Sequence, residues 1–147
     1  MKKIVLMVVA CLALASCGTG TKNESSVQGV EMGVPARDCV EVLYFHGKQR
    51  CATCMAIEKN ASEAVAKEFA EEIKKGDVVF RVIDITKEEN EAIAENYEVT
   101  WSSLFVVGHK NGNENVENMT DFAFRNARQS PDEFKSGVVA KVREMLK

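Results

Sequence analysis

Cys51 and Cys54 stand two residues apart where a run of β-forming residues gives way to a long amphipathic helical pattern. Residues 40–45 (VEVLYF) are rich in β-formers and stop at His46-Gly47, which predicts a strand. From Cys54 onward, Ile57, Ala61, Ala64, Val65, Phe69 and Ile73 recur at helical spacing, Glu and Lys fill the other face, and Gly76 stands where a C-cap is expected. This order of strand, cysteine pair and helix constrains the fold more than any other feature. A sulfur at a helix start meets unpaired N–H groups and the positive end of the helix dipole, which favour its thiolate. A second sulfur three residues on lies one turn along the same face and can close a disulfide on the first. Cys51 is therefore the candidate nucleophile and Cys54 its resolving partner.

The remaining elements follow from pattern and punctuation. Residues 78–85 (VVFRVIDI) are nearly continuous apolar sequence, as expected of a strand buried on both faces of a parallel sheet. Thr86-Lys87-Glu88-Glu89 reads as a capping box opening a short helix through Tyr97. Residues 104–108 predict a third strand, and Asn111-Gly112 a hairpin turn into a fourth around 115–119. Ser130-Pro131-Asp132-Glu133 combines N-cap, Pro at the first helical position and a capping-box Glu, and Phe134, Val138, Val142 and Met145 give the last helix its core face. The predicted order is β-α-β-α-β-β-α. A βαβ crossover followed by a hairpin and a helix makes an α/β fold around a four-stranded mixed sheet.

The first residues read as a leader. Lys2 and Lys3 precede an apolar run over 4–15, too short to span a bilayer and the right size for a signal peptide. It ends Leu14-Ala15-Ser16-Cys17, which resembles a bacterial lipobox: small residues before a Cys that is lipidated and becomes the new N-terminus. An ordinary signal peptide with an incidental Cys is the plainer alternative, but charge, apolar core, small residues and Cys all fall in the expected order. Residues 1–16 are thus the expected lipoprotein signal peptide. Residues 17–36, Gly- and Ser-containing and without periodicity, form a tether of roughly 20–25 Å, and 37–147 form the domain. The expected location is the bacterial cell envelope, lipid-anchored and periplasmic or surface-facing. Losing Lys2 and Lys3 takes the formal net charge from −3 to −5. An acidic chain without a basic block argues against a nucleic-acid partner.

Setting Cys11 and Cys17 aside leaves three cysteines in an exported chain, where disulfides persist. Cys39 begins the first strand and the pair lies past its other end, roughly 20 Å away at ~3.3 Å per residue, so Cys39 reads as a small buried hydrophobe, with a mixed disulfide to a partner as the alternative. A closed zinc site would need two more ligands beside the pair, and only Cys39, His46 and His109 are available, which argues against one. His46 reads as a loop residue at the strand end, and with Arg50 and Lys48 it is the nearest cationic group able to favour the Cys51 thiolate. His109 borders the hairpin and reads as solvated. Trp101 is either part of a docking surface or a packing residue. Glu71, Glu72, Lys74 and Lys75 are a solvated helix face.

Three stretches, YFHGKQRCATC, VIDITKEENEAIAENYEV and LFVVGHKNGN, make residues 40–147 resemble the thioredoxin-like superfamily. The first of them is also similar to a small family of exported proteins named as a nitrophenyl compound nitroreductase subunit. The resemblance implies a redox-active Cys51–Cys54 disulfide without further cofactor, neighbours His46, Arg50, Thr53, Trp101 and Ser103, and a protein thiol or disulfide partner or upstream reductase. Ala52-Thr53 lacks the His common between the cysteines of strongly oxidising members, which leans toward a reductase or electron carrier. Three departures are evident, one being that the buried acid the superfamily carries on the preceding strand has no clear counterpart around Leu43-Tyr44-Phe45. The proline that the superfamily places before the third strand is replaced by Ser103, and the aromatic before the first Cys by Arg50. Loss of that proline implies an alternative, in which the thiol pair Cys51 and Cys54 binds a soft metal, an arsenical or an Fe–S cluster. The narrower resemblance implies a redox subunit of a nitroreductase system. The leading expectation is a membrane-tethered thiol–disulfide oxidoreductase.

Overall fold

The computed structural model describes residues 37–147. The expected signal peptide, the lipidation site Cys17 and the tether over 17–36 lie outside the described residues. Four strands, β1 (Cys39–His46), β2 (Val78–Asp84), β3 (Ser103–Lys110) and β4 (Asn113–Asn118), form one sheet in the order β2-β1-β3-β4. β1 pairs with β2 in parallel and with β3 antiparallel, and β3 pairs antiparallel with β4. This is the thioredoxin-like fold, with the mixed sheet expected from the sequence.

The helices are α1 (Ala52–Glu68), α2 (Ala70–Lys75), α3 (Glu91–Asn96), α4 (Thr120–Asn126) and α5 (Pro131–Met145). On one sheet face Val40, Val42, Tyr44, Leu104 and Val106 pack against Ile57, Ala61 and Val65 of α1 and Phe134, Val138 and Val142 of α5. On the other, Leu43, Phe45, Ile83, Phe105 and Val107 meet Ile93 of α3 and Val99. The two-residue period of the strands sorts their side chains between these layers, so β1 is buried on both faces. Among the described residues, no helix is long and apolar enough to cross a membrane.

The structure corrects several sequence expectations. β2 is an edge strand with Val82 exposed, because the crossover from β1 places it outside, with only β1 as neighbour. The first helix breaks at Phe69, whose φ of −127° leaves the helical range; its ring stays in the core while Ile73 beyond it is exposed. Gly76 does end α2 in the left-handed region, at φ 75°. Thr86 caps no helix: its N–H and hydroxyl both donate to the Asp84 carboxylate, and a 3₁₀ turn over Glu88–Asn90 precedes α3. Ser130 is the N-cap position of α5 and Pro131 its first residue, but no side chain makes the capping bond. α4 is an element the sequence reading missed. The Asn118 side chain accepts the N–H of Thr120 at its start, and Met119, Ala123 and Ala127 supply a buried stripe four residues apart.

Candidate redox site

The site is built where β1 ends and α1 begins. Cys51 is the N-cap of α1 with extended backbone (φ −76°, ψ 166°), and its Sγ accepts the N–H of Cys54 at 3.2 Å. Asp or Ser does the same at ordinary N-caps, satisfying a donor that the first helical turn leaves unpaired. Here the acceptor is sulfur, and an anionic acceptor gains most from that position. The Met55 N–H donates to the Cys51 carbonyl at 3.0 Å, the first full helical bond.

The two sulfurs, both free thiols, are 2.7 Å apart. Cys51 is exposed and Cys54 is buried, at 6% exposure. The Cys51 thiol is held below its ordinary pKa, first by the hydrogen bond from the Cys54 thiol and next by the Cys54 N–H; its slight desolvation opposes this, and the Thr53 N–H helps it. The stabilisation is therefore made by the helix start and by the second cysteine. Burial gives the pair an order, since a partner can reach Cys51 and Cys54 can reach only Cys51.

Beneath the pair lies Tyr44, a residue the sequence reading placed in the strand but not in the site. It is fully buried, and its hydroxyl donates to the Cys54 carbonyl at 2.8 Å. Burial pushes its phenol up, Cys54 adds to the rise, and the side chains of Arg50 and Ser102 beside the hydroxyl oppose it. The legible signal was period two: Tyr44 shares its face with Val40 and Val42, the face that α1 covers.

The other expected neighbours are spread around this centre. Arg50 turns away from Cys51 to pair with Glu58 and lies over the Tyr44 ring, its guanidinium carbon 5.9 Å from the centroid. His46 is half-buried, its ring 6.2 Å from that of Tyr44 and its Nδ1 3.1 Å from the Gly47 carbonyl oxygen. Thr53 contributes its backbone N–H. Trp101 is both packed and open: its ring lies 5.2 Å from that of Phe124, yet it is 55% exposed. Ser103 is buried and donates to the Trp101 carbonyl at 3.1 Å, and it pairs with Phe45 on the α3 side of the sheet, whereas Ser102 faces Tyr44.

Cys39 is buried at the opposite end of β1, cross-strand from His109, and burial and Glu41 push its thiol up. His109 corrects the sequence reading. It is buried, with Nε2 3.0 Å from Glu41 Oε2 and Nδ1 3.5 Å from Glu114 Oε1, because β4 folds back over β3 and brings Glu114 opposite it. Among the described residues, no three His, Cys, Asp or Glu side chains are grouped to hold a metal ion, so two sulfurs alone would have to ligate one. That donor set does not fit a closed tetrahedral site.

No family model matches the chain, and no curated protein matches it. Among solved structures it is similar to a thioredoxin from Thermus thermophilus, at 17% identity over 69% of this chain and 75% of that one, with a TM-score of 0.44. It is similar to thioredoxin-2 of the malaria parasite, at 17% identity, 74% and 89% coverage and a TM-score of 0.45. A thioredoxin-like protein from Clostridium perfringens aligns at 10% identity, 71% and 73% coverage and a TM-score of 0.44. The strand order β2-β1-β3-β4 and its pairing, rather than these likenesses, define the fold.

Proposed function

We propose that this chain is a thiol–disulfide oxidoreductase, held at a bacterial envelope membrane by lipid on Cys17 and acting on protein partners. The observation that carries the reading is the capped sulfur: Cys51 Sγ is exposed, accepts the Cys54 N–H at 3.2 Å and lies 2.7 Å from the second sulfur. The Cys51 thiolate attacks one sulfur of a partner disulfide, the partner S–S bond breaks, and the other partner sulfur leaves as a thiolate. Cys54 then gives up its proton and attacks Cys51 Sγ, releasing the second partner thiolate and leaving a Cys51–Cys54 disulfide. Two electrons have passed to the partner. An upstream dithiol reductase, or a small dithiol in vitro, returns the pair to its reduced form. The same two-electron couple would serve a nitroreductase partner in the role the narrower resemblance implies.

The test is reduction of a disulfide-bonded protein with dithiothreitol as electron source. Wild-type chain accelerates it and Cys51→Ser does not; retained turnover in Cys51→Ser rejects the reading. For the anchor, Cys17→Ser should release the chain from the membrane fraction. Membrane retention of that variant would contradict the lipid assignment.

A further inference from the structure

Arg50 immediately precedes the nucleophile, where a cation would be expected to act on the thiolate charge. Its geometry is different. Among the described residues its guanidinium bonds to Glu58, seven residues beyond Cys51 on α1, and makes no hydrogen bond to Cys51. The ion pair is partly enclosed, at 29% and 30% side-chain exposure, and the guanidinium rests over the Tyr44 ring. Tyr44 in turn donates to the Cys54 carbonyl from below. Burial works against the Arg50 charge, but Glu58 and Tyr44 outweigh it and raise its pKa. The rest of the loop has little to hold it: Gly47 has open space around its Cα, and Lys48 and Gln49 are exposed. Arg50 is thus the inward anchor of the segment that must present Cys51 in extended backbone with its sulfur over the Cys54 N–H.

We propose that Arg50, gripped between Glu58 and the Tyr44 ring, is a positioning residue that keeps Cys51 at the N-cap of α1, and that Glu58 acts on the thiol through it. This rests on the reading of Cys51 as the redox nucleophile, and it extends that site to three groups outside the CATC segment. It also reverses the sign expected for Glu58. As a bare charge, a carboxylate near a thiolate disfavours it, so removing Glu58 should lower the Cys51 pKa. As the anchor of Arg50, its removal loosens the loop, withdraws the Cys54 N–H from the sulfur and raises that pKa.

The experiment measures Cys51 alkylation rate against pH in wild type, Arg50→Met, Glu58→Ala and Glu58→Gln, each checked by circular dichroism and thermal midpoint for retained fold. Positioning predicts that Arg50→Met and Glu58→Ala slow alkylation at pH 7 by about three- to tenfold, as a rise of half to one pKa unit requires. Glu58→Gln, which keeps an acceptor for Arg50 but no charge, should recover most of the wild-type rate. Faster or unchanged alkylation in both Glu58 variants overturns the proposal. Wild-type Cys51 reacting no faster than an unperturbed thiol would instead overturn the redox reading itself.

Discussion

The backbone N–H of Cys54 points at the sulfur of Cys51 across 3.2 Å, so the residue proposed to resolve the mixed disulfide also holds the sulfur proposed to attack. Replacing either cysteine therefore has unequal consequences. Cys51→Ser should abolish turnover. Cys54→Ala keeps the backbone N–H but loses the side-chain donor that contributes most to lowering the Cys51 pKa. It should trap a stable mixed disulfide with a partner through Cys51 while alkylating more slowly than wild type at pH 7. Mass spectrometry of the trapped adduct checks the first effect and pH-dependent alkylation the second. A Cys54→Ala variant that turned over normally would contradict the assignment of roles.

His109 gives a test at the other end of the sheet. Its imidazole lies between Glu41 and Glu114, and Glu41 also pairs with Arg81 at 3.3 Å. His109→Ala leaves the largely buried Glu41 short of a partner and opens a void. It should lower unfolding free energy by about 1–3 kcal/mol in a denaturant titration. Cys51 alkylation should stay at the wild-type rate, because the substitution lies beside Cys39, at the end of β1 away from the cysteine pair.

Gly137 in α5 sets helix propensity against packing. Alanine is favoured over glycine in a helix interior by about 1 kcal/mol. However, a Cβ on Gly137 would come within 2.6 Å of Cε1 of the Phe122 ring, which stacks near Phe134. Overpacking of this kind costs about 1–3 kcal/mol, so Gly137→Ala should lower the thermal midpoint. A raised midpoint would show that α4 moves aside freely.

Tyr97 supplies a pH dependence. Burial, with Glu114 and Glu41 adding to it, pushes its phenol up to about 12. A phenol whose pKa rises on folding stabilises the native state fully below its unfolded value of about 10 and loses that contribution as pH climbs through the folded value. Stability should decline between about pH 10 and 12, and Tyr97→Phe should flatten that decline. Phenolate absorbance should appear late, since Tyr44 is also raised. Ordinary titration of both tyrosines near pH 10 would contradict their burial.

These sites differ in how far the sequence exposed them. The cysteine pair was legible because the strand run before it and the helical spacing after it are both strong and local. The hairpin was legible at Asn111 and Gly112, which take φ of 52° and 75° at the turn. β2 read as a doubly buried strand because apolar content says nothing of whether a strand is central or at an edge. Tyr44, Ser102 and Glu58 lie in separate stretches of chain, and only folding brings Tyr44 under the Cys54 carbonyl, Ser102 beside the Tyr44 hydroxyl and Glu58 onto Arg50. His109 read as solvated for the same reason, its carboxylate partners being supplied from β1 and β4. Arg50 was visible beside Cys51, but its partner eight residues on was not, so its charge was credited to the wrong neighbour.

The most direct measurement of the redox account is equilibration of residues 37–147 with glutathione buffers of graded ratio, quenched with acid and read by mass. The account predicts one two-electron transition in which the chain loses two hydrogens and both Cys51 and Cys54 become protected from alkylation while Cys39 stays unmodified. Accumulation of a glutathione adduct on Cys51 with Cys54 still a free thiol would contradict it.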